Sequence, residues 1–377
     1  MRKRGLLSSL TVLAKPKHGH TAMYVAAHRQ YRYDCGLPLR GVIMSQTRRT
    51  FALIASAALS SRLLSRSASA AAQTVTAPLP ERLSEALLQL FGTHPGFREI
   101  HAKGIVCEGT FEPTEAAATV SRAKHFRNVT PVTVRFSDFS GVPTVPSTDG
   151  SASPHGMAIK FHTESGDTDL IGHSVNAFPG ANGEEFLEFI KALTASKPGT
   201  AKPTPIEIFL ERHSSARRFV AEMPPPPESY VTSTYHAINA FVFVNAASQH
   251  VVGRYHMSPQ AGLLALDPQL VGTRSGNYLA EELTRRLQHR AAYFDVIVQI
   301  ADPSDQTHDG SELWPTDRRI VTLGTICLKS AVSDSLATQR GLLYDPTRLV
   351  DGIGLSDDPL PAVRSATYAI SYARRNA

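Results

Sequence analysis

Residues 73–377 predict an α+β fold: an antiparallel β-barrel with helices packed around it. Three observations carry the prediction. Seven runs of residues have strand character, and most are separated by loops instead of helices. Helical patterns are fewer and fall between or outside those runs. No repeat of period 20–50 and no composition break divides the stretch, so it reads as one domain. Closing the sheet on itself also removes the exposed edges that an open sheet of this size would carry.

Leu83 to Phe91 reads as a short amphipathic helix. Strands follow at Ile100 to Phe111, Val132 to Phe136 and Met157 to Thr163. In the third, Met157, Ile159 and Phe161 share one face, with Lys160 and His162 on the other. A Gly/Ser/Pro/Asp-rich loop from Ser140 to Pro154 joins the second to the third. Glu184 to Ala195 carries a helical stripe of Phe186, Phe189, Ile190 and Leu193. A Pro/Gly/Lys loop at 197–205 leads to one helix over 206–222, stopped by the proline run Pro224 to Pro227. Strands are expected at Ala240 to Asn245, Val251 to Met257, Tyr293 to Ala301 and Ile320 to Leu328, with a helix from Tyr278 to Ala292 among them. Ser356-Asp-Asp-Pro359 places capping residues ahead of a last helix, Pro361 to Arg375.

The formal charge of +6 conceals a division. Residues 1–72 hold twelve Lys or Arg against one acid, Asp34, and the remainder has five more acids than bases. A mildly acidic body gives no reason to expect nucleic-acid binding. Ser45-Gln-Thr-Arg48-Arg49-Thr-Phe51-Ala-Leu53, an apolar run to about Leu59 and Ala68-Ser-Ala70 together resemble a twin-arginine export signal, 44–70, with a small-residue cleavage site. Met44 immediately precedes it, so residues 1–43 read as an upstream extension ahead of the true start. The apolar run is far shorter than the roughly 20 residues a bilayer span needs, and Arg62 and Arg66 follow it. The expectation is periplasmic or secreted protein with no stable membrane anchor. Cys107 and Cys327 lie in strand-like runs and read as buried thiols, with a single bridge between them left open. No Cys/His cluster suggests zinc, and no G-x-G-x-x-G follows a strand to suggest NADPH.

In the last helix Arg364, Tyr368 and Tyr372 are spaced i, i+4, i+8, with Arg375 three further on, so all four share a face. A phenol titrating near 10 is a poor iron ligand until deprotonated, and an arginine one turn away favours the tyrosinate. A lone Arg-x-x-x-Tyr on a helix is more often a surface helix packing its tyrosines. Other segments change that balance. Val350-Asp-Gly-Ile-Gly-Leu-Ser-Asp-Asp-Pro with Arg364-Ser-Ala-Thr-Tyr368 resembles the run that leads to the proximal tyrosine of the catalase superfamily. Arg98-Glu-Ile-His101-Ala-Lys-Gly104 with Glu108-Gly-Thr-Phe-Glu112 resembles its catalytic-histidine segment. Pro131-Val-Thr-Val-Arg135-Phe-Ser137, Ser153-Pro-His-Gly-Met-Ala-Ile-Lys-Phe and Asp169-Leu-Ile-Gly172 continue in the family's order. Leu313-Trp314-Pro315 matches one of its barrel strands. Fragments in order over about residues 80–377 are more specific than any one of them.

The resemblance implies haem b, with iron ligated by Tyr368. It implies His101 as the acid–base group that moves a proton between the peroxide oxygens, and Ser137 as its orienting partner. Arg364 would stabilise the tyrosinate; Arg98, Arg135 and Arg375 would pair with propionates or add positive charge; Phe178 and Phe186 would pack by the haem. The departures are informative. His173 stands where the family places an asparagine that polarises peroxide, Asn176 follows nearby, and Tyr372 stands where the family has a histidine. The run ends without the family's C-terminal helical domain and begins without its long threading arm. Together these features resemble the small catalase-related peroxidases. They imply reduction of hydrogen peroxide or an organic hydroperoxide by an organic donor, with weak or no catalase activity. The alternatives are a hydroperoxide-rearranging haem enzyme on the same fold and a haem-binding protein without turnover. A homo-oligomer is left open.

Overall fold

The computed structural model of the chain describes residues 77–377. The upstream extension, the export motif and the cleavage site lie outside the described residues. Among those described, no helix is long and apolar enough to cross a membrane.

In chain order the strands are β1 (Gly104–Pro113), β2 (Thr130–Ser137), β3 (Gly156–Thr163), β4 (Gly166–His173), β5 (Tyr235–His236), β6 (Phe241–Val244), β7 (His250–Pro259), β8 (Ala292–Ile300), β9 (Ile320–Ala331) and β10 (Ile353–Leu355). All pairings are antiparallel, and β7 pairs with β8 to close a barrel of β1 to β5 and β7 to β9. β6 pairs with the start of β7 and carries β10 on its far edge. The barrel interior is filled by every second side chain. Cys107 and Phe111 of β1 meet Val134 and Phe136 of β2, Ile159 and Phe161 of β3, and Phe294 and Val296 of β8. Each large apolar side chain so enclosed contributes about 1.5–3 kcal/mol over its exposed state.

Helices α1 (Leu79–Phe91), α3 (Gly183–Ala195), α4 (Pro205–Arg212) and α5 (Ser214–Ala221) form a second apolar cluster outside the barrel. Its centre is Leu83, Leu87, Leu187, Phe189, Ile190 and Phe219. Four more helices are α2 (Ala117–Val120), α6 (Pro268–Val271), α7 (Tyr278–His289) and α8 (Ser335–Gly341). The last, α9 (Leu360–Asn376), packs along α1. The expected cap is present: Asp358 Oδ1 accepts from the Leu360 N–H at 2.8 Å.

The α+β barrel expectation holds, and four local expectations are corrected. The strand expected from Ile100 starts only at Gly104, because His101 takes φ +57°, a left-handed value that interrupts extended chain. The helix expected over 206–222 is two, broken at His213. There the backbone is extended, the imidazole Nδ1 meets the Phe209 carbonyl at 3.0 Å, and Arg217 donates to the Leu210 and Glu211 carbonyls. The helix expected to run to Ala292 stops at His289, and Ala292 opens β8. Leu313-Trp314-Pro315 is loop, not barrel strand. Trp314 Nε1 donates to the Gln306 carbonyl at 2.8 Å and its ring lies 4.2 Å beneath the Arg254 guanidinium.

β4, β5 and β10 were not expected. The two-residue pattern of β4 is obscured by Asp169, whose carboxylate is buried against Lys160 Nζ at 2.6 Å. Both cysteines are free thiols. Cys107 points into the barrel and Cys327 to its outer face, so the two cannot be bridged in this sheet.

Candidate active site

Between the barrel and the helical layer lies a cleft of about 1420 Å³, counting the part open to solvent. Its lining is mostly apolar, with Phe139, Phe178, Phe186 and Phe219 among the contributors. His101, Ser137, His173, Arg98, Arg135, Phe178, Phe186, Arg364, Tyr368 and Arg375 all line it. Ten residues spread over most of the body therefore meet in one place. Tyr372 and Asn176 are not among the lining residues.

His101 enters from the barrel side. Its backbone is knitted to the segment after β2: its N–H donates to the Phe139 carbonyl at 2.9 Å, and the Ala102 N–H to the Ser140 carbonyl at 3.0 Å. Its Nδ1 lies 3.1 Å from Ser137 Oγ, and the ring packs edge-on to Phe139. Gly156, at the start of β3, makes this possible. A Cβ there would fall 2.7 Å from Ser137 Oγ and 3.0 Å from His101 Nδ1. Burial, reinforced by Arg135 and His173, pushes the imidazole down to about 3, so it is neutral at physiological pH.

Beside Ser137, Asp138 is buried and accepts from Tyr230 Oη at 2.8 Å and from Ser147 Oγ at 2.6 Å, with His155 Nδ1 at 3.2 Å. Burial alone would raise this carboxyl, but those three partners outweigh it and hold it below the usual range.

The helix side supplies Arg364 and Tyr368, one turn apart on α9. Arg364 Nε donates to Tyr368 Oη at 3.1 Å. The same guanidinium donates to Asn239 Oδ1, and Asn239 Nδ2 donates to Asp358 Oδ2 at 2.7 Å. Sequence reasoning missed Asn239 and this second task of Asp358. The Ser-Asp-Asp-Pro signal announced a helix cap, which uses only one of the two carboxylate oxygens.

Arg98, Arg135 and Arg375 converge on the end of α8 and the loop after it. Arg98 and Arg375 both donate to the Leu342 carbonyl, at 2.7 and 2.5 Å. Arg135 donates to Gln339 Oε1 at 2.7 Å and to the His101 carbonyl at 2.7 Å. Gln339 is a further residue that sequence reasoning missed. Among the described residues none of these three guanidiniums has a carboxylate partner within 4.0 Å. Burial holds all three below the ordinary arginine value, Arg135 and Arg375 at about 10, and Arg98 is lowered further by Arg135 and Arg375. Buried positive charge without a counter-charge is costly, so this end of the cleft is built to receive anionic groups.

His173, the last residue of β4, also faces the cleft. Both of its ring nitrogens are sealed from solvent and have no hydrogen-bond partner among the described residues. Burial, with Arg364 nearby, pushes it down to about 4.

The catalase family model matches residues 95–376. The chain belongs to the catalase family. Within the family it is 33% identical over 297 residues to a catalase-related peroxidase of Mycolicibacterium paratuberculosis, covering 78% of this chain and 93% of that protein. It is 31% identical over 306 residues to a catalase-related peroxidase of Synechococcus elongatus, covering 80% and 89%. Catalase-2 of Arabidopsis thaliana is 26% identical over 72% of this chain but only 58% of its own length. Among solved structures, a bacterial catalase superposes with a TM-score of 0.66 at 24% identity, covering 81% of this chain and 62% of that one. A fungal catalase superposes at 0.65 and 19% identity, covering 74% and 59%. These likenesses establish the fold, and the chain spans about three fifths of those two catalases. The catalase-related peroxidases are matched over nearly their full length, as a minimal form of the family requires.

Proposed function

We propose that this catalase-family chain is a haem-dependent peroxidase. It reduces hydrogen peroxide or an organic hydroperoxide with an organic electron donor and dismutates peroxide weakly or not at all. One observation carries the reading: a single apolar cleft holds a serine-bonded histidine on its barrel side, an arginine-bonded tyrosine on its helix side, and three arginines without carboxylate partners. That donor set fits an iron porphyrin, which has apolar faces, an axial position for a phenolate and two propionates that need cations.

Bound haem supplies the redox centre at which the peroxide O–O bond is cleaved and donor electrons are received. The chain's own groups do the rest. Tyr368 Oη would hold the iron, and the Arg364 N–H aimed at it favours the phenolate over the phenol. Arg98, Arg135 and Arg375 would hold the propionates. His101 starts as neutral imidazole, as its lowered basicity ensures. With Nδ1–H donated to Ser137, its Nε2 is free to take the proton from one peroxide oxygen and return it to the other, so that water or an alcohol leaves. Phe139 holds the ring from the side. The apolar lining keeps bulk water from competing for that proton.

Weak dismutation follows from His173. An amide at this place, as the family resemblance implies, has two donors and an acceptor with which to polarise peroxide. A buried imidazole with no partner offers one donor and one acceptor on a stiffer ring, and Asn176 does not line the cleft. The relatives matched over most of their length are named peroxidases, which supports the same branch. Export by the twin-arginine route belongs to this reading, because that route accepts a folded protein already carrying its cofactor.

The test is direct. Residues 73–377 are expressed, supplied with haem, and assayed for phenolic-dye oxidation and for oxygen release at equal peroxide. Dye oxidation exceeding oxygen evolution, with a haem spectrum that shifts on Tyr368→Phe, is the expected result. Fast oxygen release with poor dye oxidation would overturn the peroxidase assignment. A spectrum indifferent to Tyr368→Phe would overturn the ligand.

A further inference from the structure

Three histidines stand side by side on neighbouring strands of the barrel's outer face. His173 of β4 is the direct cross-strand partner of His236 of β5, and His236 is the direct partner of His256 of β7. The adjoining Tyr235, Tyr255 and Met257 point into the barrel core, so alternation turns both His236 and His256 outward. His236 Nδ1 lies 2.7 Å from His256 Nδ1, with the rings edge to face and centroids 4.9 Å apart. Two nitrogens at that distance share one proton: one imidazole donates and the other accepts. Direct cross-strand partners have Cβ atoms about 4.5–5.5 Å apart, close enough for rotation to bring their imidazoles together. The row begins in the cleft, at His173, whose ring nitrogens are buried and unpartnered. It ends at His256, which is only partly covered and stands against the Gln299 side chain.

We propose that His256, His236 and His173 form a proton path between the outer surface of the barrel and the cleft. The inference rests on the peroxidase reading. Reduction of a hydroperoxide to alcohol and water consumes two protons and two electrons. His101 only moves the peroxide's own proton from one oxygen to the other, so two more protons must arrive as the donor's electrons do. A phenolic donor that enters the cleft brings its own. A donor that delivers an electron alone does not, and then protons have to cross the protein.

A neutral imidazole can take a proton at one nitrogen while releasing one from the other. In the row a proton enters His256 at Nε2 and leaves its Nδ1 for Nδ1 of His236. The His173 nitrogens have no hydrogen-bond partner as they stand, so its ring must turn to take the next proton from His236 Nε2 before passing one into the cleft. No bond other than N–H is made or broken, and each ring ends neutral with its tautomer exchanged. The charged groups facing the row are Arg254, beside His256, and Arg364, beside His173. Burial keeps all three rings neutral, the form that conducts, helped by Arg364 at His173, by Arg254 at His256 and by the two flanking histidines at His236.

The experiment has two arms on the exported-length chain and uses His236→Gln and His256→Gln, which keep a polar side chain but cannot pass a proton. In the first arm, without added haem, nitrogen-15 NMR follows exchange of the His173 ring proton with solvent. Because both ring nitrogens are sealed from solvent, exchange runs along the row and should slow at least tenfold in either variant; unchanged exchange in both overturns the path. In the second arm, the haem-loaded protein oxidises ferrocyanide, which carries only an electron, and a phenol. Either variant should lose tenfold or more with ferrocyanide and stay within about twofold with the phenol; equal loss on both overturns the path. Should His236→Gln not fold, His256→Gln gives the same readings. A wild-type protein inert with both donors defeats the peroxidase reading, and the exchange arm still decides the path on its own.

Discussion

Arg364 Nε donates to Tyr368 Oη at 3.1 Å from one helical turn away, and the same guanidinium is anchored at its other end through Asn239 to Asp358. The tyrosine therefore does not merely neighbour a cation. It meets a donor whose direction is set by two further residues. Replacing Arg364 by Leu removes that donor and leaves the Asn239–Asp358 pair without its cation. The expected result is retained haem with peroxide turnover reduced on the order of 10²-fold, as for loss of one preorganised donor. Full activity in a haem-replete Arg364→Leu protein would sink the role.

His101→Ala separates an enzyme from a binder. Haem content should be unchanged, because the arginines and Tyr368 remain. The rate of reaction with peroxide should fall by about 10²–10⁴-fold, the span of a lost acid–base group. Stopped-flow mixing with peroxide reads it. A rate within a few-fold of wild type would remove His101 from the chemistry.

Gly156→Ala tests how closely the histidine is held. The added methyl would stand 2.7 Å from Ser137 Oγ and 3.0 Å from His101 Nδ1, so one or both must move. Overpacking of this kind costs about 1–3 kcal/mol. The variant should fold with a lower urea midpoint and react with peroxide at least tenfold more slowly at equal haem content. An unaltered rate would mean that the His101–Ser137 contact is not needed.

Stability should fall on the acid side of neutrality. His101 and His125 are pushed down to about 3, His173 and His256 to about 4, and His236 well below its ordinary value, chiefly by burial. Between those values and the unfolded value near 6.5, the unfolded chain binds protons that the native chain refuses. Stability from these groups is thus complete above about pH 6.5 and drains away as pH falls. Each group contributes a slope of about 1.4 kcal/mol per pH unit inside its own window. Urea midpoints should be level from pH 8 to 7 and drop steeply from pH 6 to 4. A midpoint unchanged at pH 5 would contradict neutral burial of the histidines.

Asp169 is the hub of β4. Its carboxylate pairs with Lys160 at 2.6 Å and Arg348 at 3.2 Å, and accepts from the Asp345 N–H at 2.8 Å. Asp169→Asn leaves the buried Lys160 ammonium with only Asp167, 4.0 Å away, as a carboxylate partner and should cost about 3 kcal/mol. A calorimetric shift of less than a degree or two would show that Lys160 finds another partner.

Much of the barrel is legible because its inner face is built from unbroken alternation, as in Val132-Thr-Val134-Arg-Phe136 and Met157-Ala-Ile159-Lys-Phe161. β4 escapes that reading because Thr168 and Asp169 are polar yet buried, and pairing across strands is invisible along one strand. The break at His213 escapes because side chains, not a proline or glycine, end the helix. Trp314 misleads for a different reason: the family resemblance implied a strand, but its indole is committed to Gln306 and Arg254 in a loop. At the site, His101 and the Arg364–Tyr368 turn carry local spacing that can be recognised. Asn239, Gln339 and the histidine row do not, since their roles exist only once distant strands are in register.

The apolar residues of this chain form two clusters, one inside the barrel and one among the outer helices, and the cleft lies between them. Leu83, Leu87, Phe186 and Phe219 reach it from the helical cluster and Met157 from the barrel. An occupant of the cleft would serve as mortar between two courses of masonry. Ligand uptake should then tighten the seating of the helices on the barrel and raise the stability of the whole. Protease should find the outer helices first in unfilled protein.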